Sequence, residues 1–375
     1  MAIIYFGISQ SLFSAAYSLT KRPLGYPNKI LGGWLIVISL MFILNLIKQT
    51  NGISGDLWPI SVNISISYPI FLFLYTKYII RVHATFNKKD LLHFIPLLVG
   101  ITIVALFYNT RITSLSTLIE HYSDKMTART IVGYFFDACL WFYSIRALIL
   151  IYKYKKQIEN FYSFKSYRIN LIWLQVVVVS FLVFYHVIII ISAYYTDGAI
   201  INHIEIFRSG VLLIFVYILS FGGLRQRQLI SENNTINLNQ HIEPHKSTEL
   251  QYTKSSLKDD QAEEYLKTLV EFMNTTDIWK DNELSITKLS EQSGIARHYI
   301  TQVLNQYLHK NFNTFVNEYR IEYAKKMMLS NKYSNWSIIA IAYESGFNSK
   351  ATFNSFFKKY TGKTPSEFKA SPSLS

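Results

Sequence analysis

The 375-residue sequence contains a single cysteine, Cys139. That excludes a disulfide framework and any cysteine-rich metal site, and leaves Cys139 as a small core residue. Charge is also scarce. Asp, Glu, Lys and Arg make up 16% of the chain, while 50% is hydrophobic. An average soluble protein carries roughly 25% charged residues. A disordered chain needs the opposite balance, low hydrophobicity with high charge. Acid is the scarcest component, and unevenly so. Up to Leu224 there are 8 Asp and Glu against 18 Lys and Arg; after it there are 16 against 19. Catalytic signatures are missing as well. The chain has no P-loop, no HExxH, no GxSxG and no CxxC pair, so neither an enzyme nor a cofactor or metal site is expected. What is present is 26 Phe, 27 Tyr and a net charge of +13. Such a chain calls for an anionic partner, either nucleic acid or a lipid surface.

The apolar residues lie in seven runs: 2–19, 30–47, 57–76, 91–108, 130–152, 169–194 and 204–224. Each approaches the ~20 residues that a helix needs to cross a bilayer. The run 169–194 holds no charge in 26 residues. A seven-helix transmembrane bundle over 1–224 is therefore expected. No Lys or Arg precedes the first run, so it reads as a retained helix with its N-terminus outside rather than a signal peptide. Gly7, Ser11 and Ala15 give that helix a small-residue face. With this orientation the three inner loops hold 12 Lys and Arg and the outer loops 4. The bias follows the positive-inside rule and puts everything after Leu224 in the cytoplasm of an inner-membrane, multi-pass protein.

Four ionisable residues fall in the outer halves of the runs. Asp137 is about 9 Å from the outer end of its span, His186 about 12 Å and Arg208 about 6 Å, with Glu205 one turn from Arg208. Such residues are costly in hydrocarbon. They read either as a ligand site or shifting charge network, or as structural ion pairs. Arg146 lies near an inner end and can snorkel.

After the last run the composition changes. Residues 225–258, rich in Asn and polar residues, read as a linker. From Asp259 to about Asn274, Tyr265, Leu266, Leu269, Val270 and Met273 recur at helical spacing. Two helix–turn–helix patterns follow, about fifty residues apart. In the first, Ser285 caps a short helix, Gly294 makes the turn and a second helix runs 297–308. Ile286, Leu289, Ile300, Val303 and Leu304 supply the contact between them. In the second, Ile338, Ile341 and Ala342 precede the turn Gly346-Phe347-Asn348, and Ser349 caps a helix over 350–360 with Phe353, Phe356 and Phe357 inward. A longer helix over 314–329 joins the patterns. Thr364-Pro365-Ser366-Glu367 is a capping box opening a last short helix. The fold class is therefore all-α, a seven-helix bundle followed by a cytoplasmic domain over 259–375 with its core at 284–369.

Residues 284–369 resemble the AraC/XylS family of bacterial transcription regulators. The resemblance is carried by Ala340, Ala342, Gly346-Phe347, Ser349, Phe353, Phe357-Lys358-Lys359, Gly362 and Thr364-Pro365, with Tyr319-Arg320 and Ala324 upstream. It covers 86 residues. The soluble sensing domain of the best-known members has no counterpart here; the chain resembles membrane-anchored relatives with multi-span N-termini.

Two such units suit successive major-groove faces, about 34 Å apart on double-stranded DNA. The start of the second helix of each unit reaches base edges. Those positions are Arg297, His298, Thr301, Gln302 and Asn305 in the first unit, and Lys350, Ala351, Asn354 and Ser355 in the second; the resemblance points to the same ones. Lys358 and Lys359, with Lys310 and Lys363, are placed for phosphates. Arg320 reads as structural. Two features depart from the family pattern. Ala296 stands where a capping Ser is common, and Ser355 stands where many members carry a base-reading Arg.

These readings describe a one-component regulator. A small-molecule or protein signal at the envelope or in the membrane acts on the bundle and passes through 225–283 to the DNA-binding domain, with altered homodimerisation as a simple mechanism. Two alternatives stay open. The bundle is a transporter or channel with a DNA-binding reporter, or the domain is released by proteolysis in the linker.

Overall fold

A computed structural model describes residues 1–21, 25–50, 58–80, 85–108, 115–164, 171–194, 198–232 and 259–370. The described residues are all-α and contain no strand; a single isolated antiparallel bridge joins Tyr162 and Ser285. They fall into two compact units. One comprises Met1–Tyr152 with Leu171–Glu243, the other Lys153–Asn170 with Pro244–Ser375. The expected linker core, 233–258, lies outside the described residues.

The first unit is built from α1 (Ala2–Thr20), α2 (Tyr26–Thr50), α3 (Trp58–Ile80), α4 (Ile95–Tyr108), α5 (Leu115–Ile158), α6 (Ile172–Tyr194) and α7 (Gly198–Glu232). Helix α5 enters the second unit at Lys153. Among the described residues, six stretches are long and apolar enough to cross a membrane: Ala2–Thr20, Tyr26–Thr50, Lys88–Leu106, Thr130–Ile158, Ile172–Ile191 and Glu205–Gly223. The third expected span, now α3, is not among them. Its sequence is diluted by Ser61, Asn63, Ser65, Ser67 and Pro69. The reason is its position, since Ile66, Tyr68, Ile70, Leu72, Tyr75 and Tyr78 are all buried. A helix enclosed by its neighbours needs no lipid-compatible surface. Three of its Ser and Thr hydroxyls donate to backbone carbonyls of the same helix, Ser65 Oγ to Ser61 O, Ser67 Oγ to Ile64 O and Thr76 Oγ1 to Leu72 O.

The small face of α1 is buried against α2. A Cβ on Gly7 would lie 2.5 Å from the Phe42 ring, so a larger residue there must displace that ring. Elsewhere the helices show large apolar side chains outward: Phe6 and Phe13 on α1, Leu98 and Leu106 on α4, Val176 and Val183 on α6, Ile214 and Phe221 on α7.

The second unit contains α8 (Asp259–Thr275), α9 (Ile286–Ser293), α10 (Arg297–Gln306), α11 (Phe312–Leu329), α12 (Ile338–Glu344), α13 (Lys350–Thr361) and α14 (Pro365–Ala370), with the end of α5 and residues up to Phe164 packed among them. Two apolar clusters hold it. The first gathers Leu269 and Met273 of α8, Trp279, Ile286 and Leu289 of α9, Ile300 and Leu304 of α10, and Phe315 and Val316 of α11. The second gathers Ile321, Ala324 and Met327 from the other half of α11, Ile341 and Ala342 of α12, and Phe347, Phe353 and Phe357. Helix α11, 18 residues and about 27 Å long, thus has one half in each cluster. Truncating a fully buried Phe of this kind costs about 3–5 kcal/mol.

Candidate nucleic-acid interface

Each helix pair is set by short-range chemistry. Ser285 caps α9, its Oγ accepting from the Lys288 N–H at 3.3 Å. Gly294 then adopts φ +73°, the left-handed conformation that ends α9. Helix α10 begins at Arg297 with Ala296 as an N-cap that makes no side-chain bond. In the second pair Ser337 caps α12 through the Ala340 N–H, Gly346 turns at φ +83°, and Ser349 caps α13 through the Thr352 N–H at 3.2 Å. Gly346 also sits against another segment, for a Cβ there would lie 2.7 Å from Trp279 O and 2.8 Å from Lys280 O. The capping box forms in both directions. The Thr364 N–H donates to Glu367 Oε2 at 2.7 Å and the Glu367 N–H to Thr364 Oγ1 at 3.3 Å. The hydrogen bonds that the Thr364 backbone N–H and hydroxyl give to the Glu367 carboxyl hold it below its ordinary range.

These caps and turns bury one side of α10 and α13 and leave the other outward. On α10, Ile300, Val303 and Leu304 are buried, while His298 and Asn305 are exposed and Arg297, Thr301 and Gln302 half-buried. Thr301 Oγ1 donates back to Arg297 O at 3.0 Å, and Gln302 Nε2 donates to Gln306 Oε1 at 3.1 Å. Tyr299 stacks on Tyr265 at 4.9 Å, fixing α10 against α8. On α13, Thr352, Phe353 and Phe357 are buried and Lys350, Ala351, Ser355, Lys358 and Lys359 exposed. Asn354 is half-buried, and its Oδ1 has no hydrogen-bond partner within the protein. Phe356 is half-buried and packs on the second cluster from its edge. Lys310 Nζ is bonded to Glu318 Oε2 at 2.6 Å.

Arg320 is the internal hub of the unit. It is 1% exposed. Its Nε donates to Trp279 O at 2.7 Å, Nη1 to Ser163 O at 3.2 Å and to Asn317 Oδ1 at 3.1 Å, and Nη2 to Asp281 O at 2.6 Å and to Ser163 Oγ at 3.0 Å. Its guanidinium also lies over the Phe347 ring at 5.8 Å. Burial pushes its pKa down to about 10, against the raising effect of Asp281. The group stays charged at neutral pH, and carbonyl dipoles solvate it in place of water. Nothing in local sequence spacing pointed to Ser163 as its partner.

The four ionisable residues of the first unit separate into distinct arrangements. His186 Nδ1 and Asp137 Oδ1 are 2.9 Å apart. Glu205 pairs with Lys48 at 2.8 Å rather than with Arg208. Arg208 is within electrostatic reach of the Tyr68 and Tyr185 hydroxyls.

Residues 289–371 match the family model of a helix-turn-helix domain, which covers the two helix pairs from within α9 onward. The C-terminal part of the chain thus carries an AraC-type helix-turn-helix domain. An uncharacterized HTH-type transcriptional regulator in the cgkA 5' region of Pseudoalteromonas carrageenovora is 35% identical over 88 residues, 24% of this chain and 50% of that protein. An uncharacterized HTH-type transcriptional regulator of Staphylococcus aureus (strain COL) is 34% identical over 87 residues, 23% of this chain and 11% of that protein. The chain therefore matches half the length of the first relative and about a tenth of the second. A solved structure of a protein of unknown function from Listeria innocua shares 27% identity over 28% of this chain and 93% of that one, with a TM-score of 0.24.

Proposed function

We propose that this protein is a membrane-embedded one-component transcription regulator. The observation that carries the reading is the paired arrangement of α9–α10 and α12–α13. Each pair buries an apolar stripe and turns a polar helix start outward, with α11 linking the two clusters. In this reading α10 and α13 enter adjacent major-groove segments of double-stranded DNA. Arg297, His298, Thr301, Gln302 and Asn305 face base edges from α10, and Lys350, Ala351, Asn354 and Ser355 from α13. Lys358 and Lys359 neutralise phosphates and carry little sequence information. The relatives' description as HTH-type transcriptional regulators supports the same function.

The N-terminal helices sit in the lipid bilayer in this reading. Support comes from the six long apolar stretches and from the outward Phe, Leu, Ile and Val side chains along α1, α4, α6 and α7. A water-facing bundle would present a polar stripe there. The bundle senses a signal of the envelope or membrane, and the DNA-binding domain lies in the cytoplasm. The Asp137–His186 and Lys48–Glu205 pairs are candidate elements of that response.

The test is genome-wide DNA occupancy of the intact, epitope-tagged protein in its own cells, beside fractionation of the same cells. Discrete sites from a protein found in the membrane fraction are expected. Occupancy no higher than that of an untagged control would overturn the DNA-binding reading. Full recovery in the soluble fraction would overturn the membrane reading.

A further inference from the structure

We propose that residues 159–163, which follow the end of α5, are a docking element that the DNA-binding domain holds in place, so that the state of the membrane helices reaches that domain through this loop. The inference rests on the function proposed above.

A continuous set of contacts within the second unit supports this. The Asn313 N–H donates to Glu159 O at 2.9 Å, and Asn311 Nδ2 donates to Glu159 Oε2 at 3.3 Å. The Ile286 N–H donates to Phe161 O at 3.0 Å, next to the bridge between Tyr162 and Ser285. Phe161 packs against the first apolar cluster. Asn313 Nδ2 donates to Tyr162 O at 2.9 Å and Asn317 Nδ2 to Ser163 O at 3.0 Å. The N–H and Oγ of Ser163 both donate to Leu284 O, at 3.2 and 2.7 Å. Arg320 adds its two bonds to the same serine. Ser163 is wholly buried, and so is Asn317.

Two physical points give these contacts their meaning. First, the receptor is polar and buried. Asn313, Asn317 and Arg320 line it, and a domain without the loop would leave their donors and the Ile286 N–H without these acceptors. Unpaired buried donors are costly, so the docked loop and the ordered domain stabilise each other. Second, the loop meets the N-terminus of α9 and the first half of α11. Its hydrogen bonds go to Leu284, Ile286, Asn311, Asn313, Asn317 and Arg320, none of which lies on α10 or α13. Docking therefore orders the first helix pair while leaving the faces assigned to DNA open. The chain runs from α5 directly into Glu159, so a shift of α5 along or about its axis pulls on the contacts that seat α9 and α11. The docked state is the DNA-binding state, and undocking loosens the first helix pair.

The test uses the full-length protein in detergent micelles and in cells. Amide hydrogen exchange reports docking without any DNA. The amides of Ile286, Asn313 and Ser163 are expected to be protected in the wild type. Ser163→Ala removes the bonds to Leu284 O and Arg320 made by the side chain. It is expected to speed exchange at Ile286 and Asn313 about ten-fold or more. Ser163→Trp does not fit the buried site and is expected to release the loop fully, with α13 amides around Phe353 still protected as the sign that the rest of the domain is folded. Genome-wide occupancy in cells should fall for Ser163→Ala and be lost for Ser163→Trp, at equal protein level. Wild-type amides at Ile286 and Asn313 that exchange as fast as an open loop would overturn docking, whatever DNA does. Released amides with unchanged occupancy would overturn the coupling. Protected amides in a wild type that occupies no DNA sites would instead refute the function proposed above and leave the docking intact.

Discussion

Nη2 of Arg320 donates to Oγ of Ser163 at 3.0 Å across 157 positions of sequence, and neither residue reaches solvent. A charge in such a place is tolerated only because five oxygen contacts from three segments replace its hydration. Arg320→Met keeps the bulk but leaves Trp279 O without its donor and takes one of two donors from each of Asp281 O and Ser163 O. We expect it to cost about 3 kcal/mol or more. Arg320→Lys keeps the charge but not the planar fork, and is expected to recover less than half of that loss. Denaturant unfolding of the full-length protein, followed by tryptophan emission, measures both. A change below about 0.5 kcal/mol for Arg320→Met would contradict the hub role.

The two turn glycines separate two costs. Both have positive φ, +73° at Gly294 and +83° at Gly346. At Gly294 an added Cβ meets nothing within 4 Å; at Gly346 it meets backbone oxygens at 2.7 and 2.8 Å. Gly294→Ala should therefore cost only the left-handed conformation, about 1 kcal/mol. Gly346→Ala must also displace the Trp279–Lys280 backbone, and is expected to cost at least twice as much. Equal losses in unfolding midpoints would show that the close approach at Gly346 is not maintained in solution.

The contrast between these residues also explains what the sequence could reveal. Ser285, Gly294, Ser349 and the Thr364–Glu367 box act within three or four residues, so their roles follow from spacing, and each forms as expected. The apolar contacts Ile286, Leu289, Ile300, Val303 and Leu304 follow from helical period in the same way, and all are buried. The loop 159–163 has no period. Its contacts are mostly backbone groups meeting side chains more than a hundred positions away, and nothing in Glu-Asn-Phe-Tyr-Ser marks a docking segment. Helical spacing suggested Glu205 with Arg208, whereas Glu205 reaches Lys48 on α2. A tertiary partner won over a local one. Helix α3 marks another limit. Its polar residues lower its apolarity because neighbouring helices shield it, and shielding is not written in a window of sequence.

Asp281 gives the second unit a pH dependence with a definite sign. Burial tends to raise its pKa. The hydrogen bonds from Lys288 and the Glu283 N–H, with the charges of Lys288 and Arg320, outweigh that and hold it below the ordinary 3.8. In the window below 3.8 the unfolded chain thus binds more protons than the folded one. The stabilisation is complete above that value and is lost as pH falls through the lower, folded value. Asp281→Asn should make the unfolding midpoint less steep between about pH 5 and the acid limit, while lowering it at neutral pH. Parallel pH profiles for wild type and variant would remove Asp281 from the acid response.

Base reading and phosphate contact make opposite predictions about salt, and this separates α10 from the lysines of α13. Once a bound site is known from occupancy mapping, the full-length protein can be titrated on that duplex at several salt concentrations. Arg297→Ala removes a group assigned to a base edge. It should weaken the cognate site by about 1–3 kcal/mol, reduce discrimination at the base pair it faces, and lower non-specific affinity far less. Lys358→Ala or Lys359→Ala removes a counterion-releasing contact. Each should weaken cognate and random duplexes alike and make the slope of log affinity against log salt shallower by about 1. Ser355 offers the gain-of-function counterpart. It is exposed on α13, and Ser355→Arg introduces a bidentate donor where a hydroxyl discriminates poorly. The variant is expected to bind tightest to duplexes carrying a guanine at the facing position. A uniform increase across all sequences would mean that this face of α13 contacts only the phosphate backbone. The second helix pair would then position the protein while α10 alone reads sequence.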